Sequence, residues 1–234
     1  MKKISLLSLL AVLAVSSAAN ANVENPFYAP AKDKLYSKTS LSKADSTHTL
    51  QQQFGYGITN RLVIDGFVNY VDQDKQDGDD GFGSFNIGGA YRLSANRYIT
   101  DVYAHYQTAI DEDVVGDYTE WEAGFKTGLR EKRFALAFQA GIDHLDVKDI
   151  DADTNNIVLG VEGQYSFDDR VSGNLGLKYT LVDDFNHYGT DEDSAVITAQ
   201  LNYQKAGLWS LAYTHELKVD NVDNVWTLKY GYAF

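Results

Sequence analysis

The sequence predicts an all-β protein, a transmembrane antiparallel up-and-down β-barrel of 12 strands. Three observations lead to this fold class. Past Val15 no stretch approaches the roughly 20 apolar residues that a membrane helix needs. Twelve segments with strand-like alternation follow one another, and the last is amphipathic up to its final residue, Phe234. Strands can span lipid only as a closed barrel, because every backbone polar group must find a partner there.

The first 21 residues have the layout of a secretory signal peptide. Lys2 and Lys3 precede an apolar run, which is followed by small residues and Ala19-Asn20-Ala21. We place the cleavage after Ala21, which leaves 18 basic and 33 acidic residues. The predicted organisation is a signal peptide at 1–21, a periplasmic N-terminal segment at 22–33 and a barrel at 34–234. Cysteine is absent, so the sequence offers neither a disulfide framework nor a thiolate metal site.

The segment before the first strand contains both prolines of the chain, Pro26 and Pro30. Proline removes a donor from a strand ladder, so its confinement here leaves every later strand free to pair on both edges. The segment has two possible placements. It could line the periplasmic mouth of the barrel, or it could fold inside as a small plug.

The predicted strands are each long enough to cross a membrane at a tilt, which takes roughly 9–11 residues. They cover 34–43, 47–58, 61–72, 81–93, 97–109, 117–130, 133–146, 154–167, 170–182, 193–204, 207–218 and 224–234. Tight turns alternate along the chain with connections that are mostly longer and richer in aspartate. Short periplasmic turns, longer external loops and an even strand number are typical of outer-membrane barrels.

The two faces of the predicted strands differ in chemistry. In 117–130, Trp121 and Phe125 lie on one face, while Glu120 and Glu122 lie on the other. A soluble β-sandwich would bury the apolar face, whereas a barrel in lipid would turn it outward. The signal peptide and the aromatic last strand favour the barrel. Aromatic residues near strand ends also fit interfacial girdles, namely Tyr98, Phe134, Phe167, Trp209 and Trp226.

Charged residues on the polar face are then predicted to point into the lumen. Besides Lys38, they are Arg61, Asp65, Arg92, Asp101, Glu120, Glu122, Lys126, Arg130, Arg133, Asp143, Glu162, Lys178, Glu216 and Lys229. Twelve strands about 4.8 Å apart and tilted about 40° give a backbone diameter of roughly 24 Å, which leaves a gap of about 10 Å between side chains. These charges could orient a passing solute or pair with one another.

The positions of these charges along the strands suggest a gradient. Arg61, Arg92, Arg130 and Arg133 lie next to tight turns, which predicts a basic ring at the periplasmic mouth with carboxylates above it. The long loops hold the excess acid, including Asp77, Asp79 and Asp80. An acidic rim attracts cations and disfavours nucleic acid as a partner. Asp77–Gly81 and 149–153 also invite a calcium interpretation, but neither has the EF-hand spacing, and solvated loops explain them as well.

The last predicted strand places Trp226, Leu228, Tyr230, Tyr232 and Phe234 on one face. A terminal phenylalanine preceded by apolar residues at every second position resembles the insertion signal of bacterial outer-membrane β-barrel proteins. The resemblance implies recognition by the barrel-assembly machinery and location in the outer membrane of a Gram-negative cell. Strand count and size are similar to those of twelve-stranded monomeric porins that pass acidic oligosaccharides. Such porins line the lumen with basic residues, whereas the inward charges here are nearly balanced.

An enzyme is the rival class, because some outer-membrane barrels are hydrolases. A serine nucleophile needs a histidine within hydrogen-bond reach. His215 is predicted to face outward and Ser194 inward, so this pair fails on geometry. A cluster of Asp183, Asp184 and His187 in one loop is easily produced by chance in so acidic a chain. His105 is expected inside the lumen, hydrogen-bonded to a neighbour.

The sequence therefore predicts a channel for small hydrophilic solutes that is mildly cation-selective and has neither catalytic activity nor a cofactor. Its expected surroundings are outer-membrane lipid and lipopolysaccharide. The alternative is a non-conducting surface or adhesive barrel whose acidic loops bind divalent cations, lipopolysaccharide or a partner. A lumen closed by salt bridges or by residues 22–34 would favour that alternative.

Overall fold

A computed structural model describes residues 22–73, 79–150, 152–183, 193–217 and 224–234. Twelve strands account for most of them. The strands are β1 (Leu35–Ala44), β2 (Thr47–Gly57), β3 (Leu62–Gln73), β4 (Gly81–Ala95), β5 (Tyr98–Ala109), β6 (Tyr118–Arg130), β7 (Phe134–Val147), β8 (Ala152–Ser166), β9 (Val171–Asp183), β10 (Ser194–Gln204), β11 (Leu208–Glu216) and β12 (Val225–Ala233). A four-residue helix, α1 (Glu112–Val115), and a 3-10 turn (Lys148–Ile150) lie in the connections. No helix among the described residues is long and apolar enough to cross a membrane.

Each strand pairs antiparallel with its neighbours in sequence, and β1 pairs with β12 to close the barrel. The closing ladder runs from Tyr36 opposite Ala233 to Ala44 opposite Val225. Among the twelve described strands, closure leaves no edge with unpaired backbone groups. The predicted up-and-down barrel of 12 strands is confirmed.

The outer face of the barrel is apolar and exposed. On neighbouring strands Tyr106 lies opposite Trp121, and Val102 lies opposite Phe125, with all four side chains exposed. A closed barrel with an exposed aromatic and aliphatic exterior is stable only in a medium as apolar as that surface. The barrel is therefore a transmembrane one, and the sandwich alternative is excluded.

The final strand belongs to this outer face. Trp226, Leu228 and Tyr230 pair with outward residues of β11, and Leu228 lies opposite Leu41 of β1. The Tyr232 and Phe234 rings meet edge to face with centroids 4.8 Å apart. Four of the five residues of the predicted insertion signal thus lie on β12, the strand that closes the barrel, and Phe234 follows its last residue.

The two ends of the barrel differ. We call the end with the short connections after β2, β4, β6, β8 and β10 the turn end, and the opposite end the loop end. Asp168 shows why the turns are tight, because its Oδ1 accepts hydrogen bonds from the backbone N–H groups of Arg170 and Val171, both at 2.7 Å. Those two bonds lower the pKa of the exposed Asp168 carboxyl. Parts of the connections after β3, β7, β9 and β11 lie outside the described residues.

Candidate functional site

The inward face of the barrel is polar and surrounds cavities. One cavity of about 370 Å³ lies towards the loop end, and its lining includes Asp65, His105, Glu120, Glu122 and Lys178. Another of about 300 Å³ includes Lys126, Glu162, Lys178, Gln200 and Lys229 in its lining. Lys178 on β9 borders both. Residues from opposite sides of the barrel share these cavities, so the lumen is the candidate site.

The N-terminal segment, residues 22–34, enters the lumen from the turn end. Its Glu24 side chain is only 9% exposed. Glu24 Oε2 accepts a hydrogen bond from Gln200 at 3.0 Å and lies 3.4 Å from Lys229 Nζ. Glu24 Oε1 makes no hydrogen bond and lies 3.5 Å from Lys38 Nζ. One carboxylate of the segment thus sits between lysines of β1 and β12.

The electrostatic environment of Glu24 favours its ionised form. Burial by itself raises the pKa of the carboxyl group, but the charges of Lys38 and Lys229 and the hydrogen bonds from Gln200 and Lys229 outweigh it. Together they lower the pKa of Glu24 from 4.5 to about 2. Ion pairs and hydrogen bonds to the charged form thus offset the cost of desolvation.

Backbone and amide contacts fix the segment around Glu24. The Glu24 carbonyl accepts hydrogen bonds from Gln164 at 3.2 Å and from Asn174 at 2.8 Å. Asn25 donates to Gln164 at 2.9 Å. The segment therefore satisfies polar groups of β8 and β9 that would otherwise face water.

Two apolar contacts complete the docking. Phe27 is fully buried and clusters with Ile99 of β5 and with Ala135 and Ala137 of β7. Val23 clusters with Tyr36, Leu208 and Ala233 on the opposite side of the barrel. Of the two placements open from the sequence, the described segment takes the one inside the barrel.

Arg92 and Asp101 form the tightest ion pair of the lumen. Nε and Nη2 of Arg92 donate to the two carboxylate oxygens of Asp101 at 2.8 and 2.9 Å, and both side chains are 13% exposed. The same Nη2 donates to the Phe27 carbonyl at 2.9 Å. Arg92 is thus paired, in contrast to Arg61, Arg130 and Arg133, which lie exposed at the turn end.

The carboxylates towards the loop end are arranged differently. Glu122 lies directly opposite Asp143 on the neighbouring strand, so two like charges face each other. Tyr103 donates to Glu122 at 2.6 Å, and Gln139 donates to it at 3.1 Å. Asp143 Oδ1 is buried and has no hydrogen-bond partner. Directly opposed like charges destabilise a sheet, and the hydrogen bonds from Tyr103 and Gln139 stabilise the Glu122 side of this pair.

A smaller polar network links β1, β3 and β5. Asp65 accepts a hydrogen bond from Tyr36 at 3.3 Å and lies 3.3 Å from His105 Nε2. His105 therefore lies inside the lumen beside a carboxylate. The remaining predicted charges have inward register, with Lys126, Glu162 and Lys229 around the smaller cavity and Glu216 at the loop-end tip of β11.

Sequence reasoning missed the uncharged part of the site. Gln164, Asn174 and Gln200 hold the N-terminal segment, yet on a strand they look like any other polar inward residue. Glu24 was not singled out because it lies outside every strand pattern. A usable signal was the presence of Phe27 and Tyr28 in a short proline-containing segment, since such residues rarely stay in water.

The geometry gives little support for an enzyme active site or a metal site in the described residues. Ser194 and His215 lie on opposite faces of neighbouring strands, and His215 Nδ1 lies 2.8 Å from Asn224 Oδ1. No group of three or more potential metal ligands is found in the described part of the chain. The loop motifs at 77–81 and 149–153, and the cluster of Asp183, Asp184 and His187, lie partly outside the described residues.

No protein-family model and no curated protein sequence matches the chain. Solved structures do match. The NanC porin has a TM-score of 0.63 and 10% identity, covering 86% of this chain and 98% of its own. An outer membrane channel of the COG4313 group from Pseudomonas putida F1 has a TM-score of 0.61 and 13% identity, covering 92% of this chain and 100% of its own. The KdgM porin, solved in complex with disordered oligogalacturonate, has a TM-score of 0.59 and 8% identity, covering 86% and 99%.

At these identities the likeness is one of fold. The closed barrel and its apolar exterior define a transmembrane β-barrel, and the similar structures are porins and an outer membrane channel. The chain is a β-barrel of the bacterial outer-membrane type.

Proposed function

We propose that this barrel is a narrow outer-membrane channel for small hydrophilic solutes, with a mild preference for cations. The observation that supports this most directly is the polar inward face around cavities of about 300 and 370 Å³. A water molecule takes about 30 Å³ of liquid volume, so each cavity has room for roughly ten waters or one small solute. We infer a channel rather than an enzyme, because the candidate nucleophile and base lie on opposite faces.

The charge distribution supports the cation preference. Glu120, Glu122 and Asp143 lie towards the loop end, which we take as the external side. A negatively charged rim raises the local concentration of cations, and dissolved salt screens this attraction. Reversal potentials across a planar bilayer test the proposal: cation preference at about 0.1 M salt should fade at 1 M, where the Debye length is about 3 Å.

Charge substitutions sharpen that test. Neutralising Asp77, Asp79 and Asp80 together should shift the reversal potential towards anions, and neutralising Arg61 and Arg133 should shift it towards cations. If neither set of substitutions changes the reversal potential, the channel proposal stands but this placement of its charges is wrong. A folded barrel that conducts nothing, with or without its N-terminal segment, would reject the channel.

One observation favours the second candidate, a non-conducting surface barrel whose acidic loops bind divalent cations, lipopolysaccharide or a partner. The N-terminal segment fills part of the lumen at the turn end and touches opposite walls. If the segment cannot leave, the lumen is only the packed interior of the barrel, and any binding function belongs to the external loops. Solute uptake by liposomes containing the unaltered barrel separates the two candidates, because a barrel whose segment cannot leave would take up no solute.

We propose that the outward face of β12 is the element recognised by the barrel-assembly machinery. Deleting Phe234 removes the ring that contacts Tyr232 and the backbone N–H that donates to the Leu35 carbonyl at 2.8 Å. Membrane yield and heat-modifiable mobility are the readouts, with Phe234→Tyr as the conservative control. Yield at the level of the unaltered protein would reject this role.

A further inference from the structure

We propose that residues 22–34 are an autoinhibitory plug, a ligand built into the chain that occupies a carboxylate-binding site of the barrel wall and restricts conduction until it is released. The inference extends the proposed function, on which its conductance test depends. The site for Glu24 is formed by Lys38, Gln200 and Lys229. These residues belong to three different strands, so the barrel creates the site and the segment fills it.

The wall is shaped for this occupant. A Cβ atom on Gly231 would lie 2.3 Å from Val23 Cγ2, and one on Gly57 would lie 2.1 Å from the Ala31 carbonyl oxygen. Any side chain at these two inward positions would displace the segment. Together with the complete burial of Phe27, the close approach indicates a specific docked position.

The barrel does not need the segment to close. The ladder between β1 and β12 begins at Tyr36, after the segment ends, and the described segment adds no strand to the sheet. Release of the segment would expose polar side chains of the wall, including Gln164, Asn174 and Gln200. Water can hydrate these groups. Release would also uncover two small apolar patches of the wall, Ile99 with Ala135 and Ala137, and Tyr36 with Leu208 and Ala233. Release therefore costs the contacts of one segment and leaves the barrel intact.

Release would also change the charge of the lumen. With Glu24 docked, the smaller cavity is lined by two carboxylates and three lysines, and undocking leaves Glu162 against Lys126, Lys178 and Lys229. Lys38 loses its partner as well. The open lumen should therefore prefer anions more than the plugged lumen does. Widening of the pore alone would not predict a shift in this direction.

Two variants test the plug in a planar bilayer. One lacks residues 22–31, and the other is the full chain with Glu24→Arg, which places a third cation between the two lysines. Both should conduct several-fold more than the unaltered barrel, and both should shift the reversal potential towards anions. Glu131→Arg is the matched control, because Glu131 is a half-exposed turn-end glutamate paired with the exposed Arg97. If the shortened barrel does not fold, judged by heat-modifiable mobility, Glu24→Arg retains the test.

Rebinding of the segment gives a readout that does not depend on conduction. A fluorescein-labelled peptide of residues 22–34 should bind the shortened barrel in detergent micelles and not the full chain, whose site is occupied. A Glu24→Gln peptide should bind about tenfold more weakly, the equivalent of about 1.4 kcal/mol. In the bilayer, the peptide should block the shortened barrel from the turn-end side only.

The outcomes separate the plug from the channel. Equal conductance of the full and shortened barrels, or no peptide binding to the shortened barrel, would overturn the plug and leave the channel in place. Peptide binding to a folded, shortened barrel that conducts nothing would support the docking site and overturn the proposed channel.

Discussion

The two halves of the lumen differ in how their charged residues are paired. At the turn end, Arg92 pairs with Asp101, and Glu24 lies between two lysines, so each of these buried charges has an opposite partner within 4 Å. Towards the loop end, Glu122 and Asp143 face each other across neighbouring strands. The cation that borders their cavity is Lys178. The turn end is therefore close to neutral, whereas carboxylates are in excess towards the loop end.

Alternation along a strand shows which charged residues point inward, but not what each of them does there. An inward charge can orient a passing solute or only neutralise another charge, and both roles require the same register. The partner decides between them, and it comes from an element distant in sequence. Arg92 and Glu122 are both inward charged residues, yet the first is paired with an opposite charge and the second lies opposite a like charge.

The largest effect is expected from breaking the turn-end pair. Asp101→Ala leaves the Arg92 guanidinium, 13% exposed, with the Phe27 carbonyl as its acceptor. Removing one partner of a buried ion pair costs about 3–5 kcal/mol, and we expect a loss of this size in the free energy of unfolding. The control is Glu120→Ala, on the loop-end wall, which should cost under about 1 kcal/mol. Urea unfolding in micelles measures both, and equal losses would erase the distinction between the two halves.

The next effect concerns the wall that separates lumen from lipid. Phe125→Arg places a charge on the lipid face near the middle of β6, where the cost is about 2–4 kcal/mol. Val196→Arg introduces the same residue on the inward face of β10, where position 196 borders the smaller lumen cavity. Folded yield should fall sharply for the first and little for the second.

Gly124, the inward neighbour of Phe125, is not a usable control. A Cβ there would lie 2.4 Å from the Ala140 carbonyl oxygen, so even a small side chain would clash with backbone. Equal tolerance of the Phe125 and Val196 substitutions would contradict the assignment of faces.

A smaller effect should follow from acid at the turn end. The pKa of Glu24 in the docked segment is about 2, below its usual value of 4.5. The ionised carboxylate therefore stabilises docking above about pH 4.5, and this stabilisation is lost as the pH falls towards about 2. We expect conductance to be constant between about pH 5 and 8 and to rise below about pH 4.

Other groups around Glu24 require a control for this pH dependence. Lys38 and Lys229 flank Glu24, and Glu162 lines the same cavity, so the charges of these residues also act on the segment. The Glu24→Gln barrel isolates its contribution, because a rise that depends on docking should be absent there. An identical pH profile in both barrels would show that Glu24 does not hold the segment.

The sequence was sufficient for the architecture. Alternating faces, tight turns and the aromatic strand at 224–234 predicted twelve strands whose bounds differ from the observed ones by a few residues. Such features are local, since period and turn chemistry are set by neighbours in the chain. The 3-10 turn at 148–150 and helix α1 were not predicted, because three or four residues are too few to show a helical period.

The interior of the site could be predicted only in part. Register follows from period two, so the inward set could be named, but the pairing of Arg92 with Asp101 depends on a bulge between Arg92 and Ser94 that no residue pattern shows. The docking of Glu24 joins it to Lys229, which is 205 positions away in the chain. A single sequence contains no signal for that contact.

The smallest effect should appear in selectivity alone. Glu120 and Asp143 lie towards the loop end, and neither is held by an ion pair among the described residues. Glu120→Gln together with Asp143→Asn removes two charges with little change in side-chain volume, so the unfolding midpoint should move little or rise slightly as like charges separate. At about 0.1 M salt the reversal potential should shift towards anions by a few millivolts, and at 1 M the shift should vanish as the Debye length falls to about 3 Å. Glu162→Gln is the control at the other end of the lumen, where Asn174 donates to the carboxylate at 2.8 Å. A shift of the same size in that control would mean that selectivity depends on the net charge of the whole lumen, and the contrast between its two halves would then have no functional meaning.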